Sequence, residues 1–193
     1  QGFEEKPQVP SKTIPGDPEH VYASMGIYIF STNVLKEELG IDAQKADSKH
    51  DFGKNILPSM VARKAKVFAY NFKDENKKEA KYWRDIGTLD AFFDSNMDLV
   101  NVTPVFNLYD NEWPIRTYME KFPPAKFVFA GGDDGMRIGV ALDSMVANGC
   151  IISGGRVERS ILSNNVRINS YSSVMDSIIM EGVDIGRNAK IRR

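Results

Sequence analysis

The pattern of apolar and polar positions divides the chain into an early part with mixed periodicities and a late part of short β-branched pieces. Residues 23–30 are mostly apolar and residues 67–72 alternate, so both segments are predicted to be strands. Three helices are predicted, at about residues 32–39, 53–62 and 89–99, and the last of them shows the periodicity of a helix. Strands mixed with short helices indicate an α/β layer architecture.

Polar and glycine residues mark the expected ends of these elements. Thr32 or Asn33 is expected to cap the first helix and Gly40 to stop it, and Thr88 is expected to cap the third. Two further stretches are predicted to be loops, the charged run at 73–81 and the glycine-rich run at 131–135.

The last part of the chain repeats itself with a step of 17 residues, which places Val157 over Val174 and Ile191. Four more apolar positions return at the same step, at 161 and 178, 162 and 179, 166 and 183, and 168 and 185. This spacing predicts a β-solenoid with three short faces per coil, in which each coil covers the apolar row of the next. We therefore expect three regions: an α/β part at 1–108, a linker at 109–140 and a solenoid at 141–193.

Composition narrows the possible partners. The chain has 193 residues, a net charge of −1 and one cysteine, Cys150. Near-neutral charge gives no electrostatic case for nucleic acid or a membrane surface as partner. No apolar stretch approaches the roughly 20 residues of a membrane span. A single cysteine cannot form an internal disulfide, which fits a reducing compartment such as the cytoplasm.

Glu5 and Lys6 are the first pair of candidate binding residues. A lysine ammonium can bind phosphate oxygens as a point charge, and a glutamate can accept hydrogen bonds from sugar hydroxyls. The alternative is a solvated pair of charges at the end of a strand.

Three more motifs carry a structural and a functional interpretation. Ser24 stands before a buried run, where its hydroxyl either touches a substrate or satisfies a turn. Asp51 either lines a site or caps the following helix, and neighbouring His50 has no evident partner. Asp85 lies between an aromatic pair and a Gly-Thr turn, which suits one carboxylate ligand of Mg²⁺ but equally suits the end of a strand.

Together these segments resemble the ADP-glucose pyrophosphorylase family of sugar nucleotidyltransferases. The resemblance covers nearly the whole chain and rests on eight segments in the family's order: 3–7, 23–28, 50–54, 82–88, 109–110, 113–117, 124–127 and 149–154. Glu-Lys-Pro at 5–7 is shared by many sugar nucleotidyltransferases, whereas Trp-Pro-Ile-Arg-Thr at 113–117 is more specific to this branch.

The resemblance implies a nucleotidyltransferase that joins glucose 1-phosphate to ATP with Mg²⁺, giving ADP-glucose and pyrophosphate for glycogen or starch synthesis. It implies that Glu5, Lys6 and Ser24 bind glucose 1-phosphate, that Asp85 holds the metal, and that Asp51 lines the site. It also implies a partial Rossmann-like catalytic domain, the start of a left-handed parallel β-helix, allosteric regulation and a cytoplasmic homotetramer.

The family's glycine-rich nucleotide loop and second metal aspartate have no counterpart in these 193 residues. We therefore expect the chain to be part of a longer protein and to be inactive alone. Three other readings stay open: a non-catalytic regulatory subunit, a solenoid acyltransferase and an assembly module. Lys6 and Asp85 argue against the first, and the second needs a histidine in the coils, which His20 and His50 do not supply.

Overall fold

The computed structural model describes residues 2–9, 13–73, 81–112, 114–131 and 137–193. They form two compact units, Gln1–Trp83 and Arg84–Arg193. Trp113 and most of the two predicted loops, at 73–81 and 131–135, lie outside the described residues. Among the described residues, no helix combines the length and the apolar character that crossing a membrane requires.

The described residues of the first unit contain two α-helices and one π-helical turn. Helix α1 spans Thr32–Ala43, the π-helical turn spans Phe52–Ile56, and helix α2 spans Leu57–Ala62. The last two confirm the helix predicted near 53–62. The predicted stop at Gly40 is wrong, because Gly40 keeps a right-handed helical backbone and the helix runs on for three residues. A glycine ends a helix by turning left-handed, and its type alone does not force that turn.

The two strands predicted in the first unit are also wrong as strands. Residues 23–30 and 67–72 lie outside the helices and strands of the structure, and the Phe72 carbonyl oxygen accepts one hydrogen bond from the Lys81 N–H at 3.4 Å. Ile29 is 99% exposed and Phe68 is 85% exposed. Apolar alternation favours an extended backbone, but a strand exists only where a neighbour hydrogen-bonds to it, and sequence pattern does not reveal the neighbour.

The second unit begins with helix α3, Leu89–Met97, and a 3₁₀ turn, Asp98–Val100. Thr88 caps α3 as predicted, since its Oγ1 accepts the Ala91 N–H at 3.2 Å. The unit continues into eleven short strands, bounded as follows: β1 Lys126–Val128, β2 Val140–Leu142, β3 Met145–Val146, β4 Ile151–Ser153, β5 Arg156–Glu158, β6 Ile161–Leu162, β7 Arg167–Ile168, β8 Ser173–Met175, β9 Ile178–Ile179, β10 Asp184–Ile185 and β11 Lys190–Arg192.

These strands form the predicted parallel β-solenoid. Three sheets run β1-β4-β7-β10, β2-β5-β8-β11 and β3-β6-β9, so that β2 to β10 complete three coils. The predicted 17-residue step is the register of pairing, with Val157 beside Val174 and Val174 beside Ile191. Upstream the step shortens to 16, as in Met145 beside Ile161, so the 17-residue comparison missed the first coil. Strand β1 lies in the segment predicted as a linker.

The solenoid core is built from one inward apolar side chain on each of the strands β4 to β10, together with two residues that directly precede β4 and β7. Nine buried residues form it: Cys150, Ile152, Val157, Leu162, Val166, Ile168, Val174, Ile179 and Ile185. Serines stack at the corners, where the Ser160 Oγ accepts the Ser177 N–H at 3.1 Å and the Ser144 Oγ accepts the Ser160 N–H at 3.0 Å. The repeated serine therefore satisfies backbone donors at a corner where the sheets do not.

Candidate functional site

A small apolar core in the first unit brings three distant segments together. Ile56, Leu57 and Met60 are buried. Four aromatic residues from the other segments and from the π-helical turn pack against them: Phe3, Tyr28, Phe30 and Phe52. Because Glu5 follows Phe3, Ser24 precedes Tyr28 and Asp51 precedes Phe52, this core anchors three of the four segments that carry predicted site residues.

Glu5 lies directly against the turn that follows Asp51. A Cβ built on Gly53 would overlap the Glu5 Oε2, and it would stand 3.4 Å from the Asp51 Oδ1. Gly53 is buried, so the Glu5 carboxylate occupies the space that any side chain there would fill. The structure therefore brings two of the predicted site residues, Glu5 and Asp51, to one face of one glycine.

Asp51 fulfils the structural role proposed for it from sequence. Its Oδ1 accepts the Lys54 N–H at 2.8 Å, and its carbonyl oxygen accepts the Asn55 N–H at 2.9 Å. Both bonds satisfy donors at the start of the helical segment. The cap also fixes the carboxylate in place beside Glu5.

Lys6 is exposed and has an unusual backbone. Its φ is +46°, in the left-handed region, although it carries a side chain and precedes Pro7. A residue before proline is already restricted to extended conformations, so this geometry is strained. Strain of this kind concentrates at functional sites, which supports a functional rather than a purely solvated role for Lys6.

Ser24 is satisfied by a turn and tied to the same core. Its Oγ accepts the Gly26 N–H at 3.3 Å and lies 3.1 Å from the Tyr28 hydroxyl oxygen. The Tyr28 ring stacks on Phe52 with centroids 5.7 Å apart. Ser24 remains exposed, so the turn role leaves its hydroxyl open to a ligand.

Asp85 lies in the second unit and forms a tight turn before α3. Its Oδ1 accepts the Gly87 N–H at 3.1 Å, and its side chain is exposed. Within the described part of the chain, no group of three or more histidine, cysteine, aspartate or glutamate side chains could hold a metal ion. A single exposed carboxylate fits Mg²⁺ as one ligand beside phosphate oxygens and water, which is how this ion is usually bound.

Sequence analysis missed the partners of His50. The His50 Nδ1 lies 2.9 Å from the Asp42 Oδ2, and the Ser48 hydroxyl donates to the Asp42 Oδ1 at 2.7 Å. The Ser48 hydrogen bond, followed by the His50 hydrogen bond, lowers the pKa of Asp42 below its ordinary value. No sequence signal identified this cluster, because the contact joins the last turn of α1 to a loop eight residues away.

Comparison with known proteins places these segments in two family models. Residues 1–102 match the model described as nucleotidyl transferase, and residues 123–193 match the model described as GlmU-like, C-terminal hexapeptide. Three bacterial relatives are named glucose-1-phosphate adenylyltransferase.

The Koribacter versatilis relative is 58% identical over 192 residues, covering 100% of this chain and 45% of the relative. The Shewanella oneidensis relative is 55% identical, covering 99% and 44%, and the Rhodopirellula baltica relative is 52% identical, covering 99% and 42%. The chain therefore spans less than half the length of each of these relatives.

Proposed function

We propose that the complete protein transfers the adenylyl group of ATP to glucose 1-phosphate. The premise is that the chain belongs to the nucleotidyl transferase family. The products are ADP-glucose and pyrophosphate, the sugar nucleotide serving glycogen synthesis. The observation that carries the proposal is the convergence of Glu5 and Asp51 on Gly53, which gathers hydrogen-bond acceptors beside the strained Lys6. The names of the relatives support the choice of nucleotide and sugar.

Glucose 1-phosphate binds through complementary charge and hydrogen bonding. The Lys6 ammonium pairs with the phosphate oxygens, and the Glu5 carboxylate accepts hydrogen bonds from sugar hydroxyls. Ser24 adds a hydroxyl that both donates and accepts, and Asp51 lines the site next to Glu5. The exposure of Lys6 and Ser24 and the fixed Asp51 cap support these roles.

The reaction requires no covalent intermediate with the protein. A phosphate oxygen of glucose 1-phosphate attacks the α-phosphorus of ATP, the new oxygen–phosphorus bond forms, and the bond to the departing pyrophosphate breaks with its electron pair. The residues of this chain hold the nucleophile in line, which converts a bimolecular step into an effectively unimolecular one. Lys6 also offsets negative charge on the attacking phosphate.

Asp85 is proposed as a ligand of a divalent metal, Mg²⁺. The ion would neutralise charge on the phosphates and on the leaving pyrophosphate. The Gly87 N–H bond to Oδ1 holds the carboxylate in one orientation, which supports a role in which direction matters. The remaining ligands would come from substrate, water and parts of the complete protein.

The organisation of the complete protein is part of the same proposal. Residues 1–108 belong to the carboxy-terminal part of the catalytic domain, residues 109–140 link it onward and contribute β1 to a solenoid sheet, and residues 141–193 belong to the β-helix domain. We propose a cytoplasmic homotetramer. The second candidate, a non-catalytic regulatory subunit or assembly module of the same enzyme, is disfavoured by the presence of Lys6 and Asp85 in the sequence.

The test is a synthesis assay on the complete protein with Mg²⁺ and glucose 1-phosphate. We expect ATP to yield ADP-glucose and pyrophosphate, and UTP or GTP to yield far less sugar nucleotide. A complete protein that stays inactive with all nucleotides, while stimulating a catalytic partner, would favour the regulatory alternative. Efficient turnover of another sugar phosphate would contradict the substrate assignment.

A further inference from the structure

Three side chains close a hydrogen-bonded cluster immediately before the Asp51 turn. The Asp42 carboxylate, whose side chain is 7% exposed, receives the Ser48 hydroxyl at 2.7 Å on one oxygen and faces the His50 Nδ1 at 2.9 Å on the other. The His50 backbone N–H donates to the Ser48 Oγ at 3.0 Å. Each member therefore contacts both of the others, and the carboxylate is satisfied on both oxygens.

The cluster holds His50 in a conformation that the residue does not favour by itself. Its φ is +53°, in the left-handed region that disfavours a residue with a Cβ. Such a conformation persists where surrounding contacts determine it. The contacts here are the imidazole bond to Asp42 and the backbone bond to Ser48.

The direction of the chain at His50 sets the position of the site residues that follow. The next residue, Asp51, binds the Lys54 N–H through its side chain, and Gly53 carries the contact with the Glu5 carboxylate. His50 and Asp51 are consecutive residues, so the backbone conformation of the first directly sets the orientation of the second. A change of φ at His50 therefore rotates the Asp51 cap and displaces the surface against which Glu5 lies.

We propose that His50 is a positioning residue, which Asp42 and Ser48 lock in the left-handed conformation so that Asp51 and Glu5 face the sugar. Its Nδ1 side carries this role, and its Nε2 takes no part in binding or transfer. The inference rests on the proposed function, because it deepens the assignment of the sugar site.

Two amide substitutions separate the nitrogen atoms of the ring. Asparagine tolerates the left-handed region and places an N–H donor near the position of Nδ1, whereas glutamine reaches toward the position of Nε2 and lacks that tolerance. In the complete protein, we expect His50→Asn to keep the KM for glucose 1-phosphate within about twofold. His50→Ala and His50→Gln should raise it about tenfold with kcat little changed, because ground-state binding is lost.

Hydrogen exchange supplies a readout that is independent of activity. The amides of Lys54, Asn55 and Ile56 bond to Asp51 and report directly on the turn. We expect them to exchange faster in His50→Ala and His50→Gln and at the original rate in His50→Asn. The matched control is His20→Ala, which removes an exposed histidine whose Nδ1 lies 2.8 Å from Asp17 and should change neither readout.

Two results would overturn the inference. If His50→Gln kept substrate affinity while His50→Asn lost it, Nε2 would contact the substrate directly. If exchange at the three amides stayed unchanged in every variant, His50 would not position the turn. A complete wild-type protein that makes no ADP-glucose would defeat the proposed function alone, since the exchange comparison still decides the positioning role.

Discussion

The solenoid and the first unit bury their apolar residues in contrasting ways. In the solenoid, each coil covers the next, and side chains such as Val157 and Val174 are completely buried by residues one repeat away. Among the described residues of the first unit, the buried hydrophobic cluster holds Ile56, Leu57 and Met60, and apolar side chains such as Ile27 and Ile29 remain exposed. Redundant packing thus stabilises the solenoid, whereas a few individual contacts arrange the site. Damage to the solenoid should cost stability, and damage to the first unit should cost substrate binding.

The largest effect is expected from truncating an isoleucine in the solenoid core. Ile168 is 0% exposed, and Ile168→Ala should lower the free energy of unfolding by about 2–5 kcal/mol through lost burial and an unfilled cavity. The matched control, Ile29→Ala, removes the same atoms from a residue that is 99% exposed and should change stability little. Denaturant unfolding followed by circular dichroism measures both. Equal losses would contradict the contrast between the regions.

The second largest effect is expected from a glycine substitution at the start of the first coil. A Cβ at Gly139 would overlap the carbonyl oxygens of Val128 and Ile152 and stand 2.9 Å from the Val128 nitrogen. These are backbone atoms and cannot turn away, so Gly139→Ala should destabilise the solenoid by about 1–3 kcal/mol. Gly186→Ala, which meets nothing within 4 Å, should be tolerated. Thermal unfolding of the two variants compares them, and a stable Gly139→Ala would show that β1 can move aside.

The same substitution at Gly53 should affect binding instead of stability. The new Cβ would meet the end of the flexible Glu5 side chain, which can swing away. Gly53→Ala in the complete protein should therefore raise the KM for glucose 1-phosphate about tenfold, the lower end expected for losing a charge-assisted hydrogen bond, with little change in Tm. Gly40→Ala, with open space around it in α1, is the control and should leave the KM unchanged. An unaltered KM in Gly53→Ala would remove Glu5 from the sugar site.

The smallest effect is expected from the pH dependence of the Asp42 cluster. Hydrogen bonds from Ser48 and then His50 lower the pKa of Asp42, so its stabilising contribution is present above the ordinary pKa of about 4. It is lost as the pH falls through the lower folded-state pKa. The stability difference between wild type and Asp42→Asn should be largest near neutral pH and shrink below pH 4. Urea titrations at several pH values measure it, and a constant difference would contradict the assigned shift.

The solenoid was largely predictable because each strand pairs with the equivalent strand of the next repeat. Val157, Val174 and Ile191 recur at the distance that the coil geometry requires, so repetition alone gave the pairing register. The first coil escaped because its step is 16 residues, as between Met145 and Ile161. The Thr88 cap was equally predictable, since a cap depends only on residues three positions apart.

In the first unit, the features that depend on contacts between distant residues could not be predicted from the sequence. The apolar pattern around Ile29 gave the tendency to extend but no pairing partner. The contact between Glu5 and Gly53 joins residues far apart in the chain, and no local sequence pattern predicts it. The individual site residues could nevertheless be identified from the resemblance of their motifs, whereas the structure was needed to show that Glu5 and Asp51 lie at the same face of Gly53.

Steady-state kinetics of Lys6→Ala and Asp85→Asn in the complete protein test the central claim most directly, with glucose 1-phosphate and ATP varied separately. Lys6→Ala should raise the KM for glucose 1-phosphate about ten- to a hundredfold, because a charge-assisted bond of roughly 1.5–3 kcal/mol is lost from substrate and transition state alike. Asp85→Asn should instead collapse kcat while the affinity for the sugar changes less, since metal neutralisation acts on charge that develops in the transition state. An unchanged sugar-phosphate KM in Lys6→Ala, or near-normal turnover of Asp85→Asn at saturating Mg²⁺, would contradict the account.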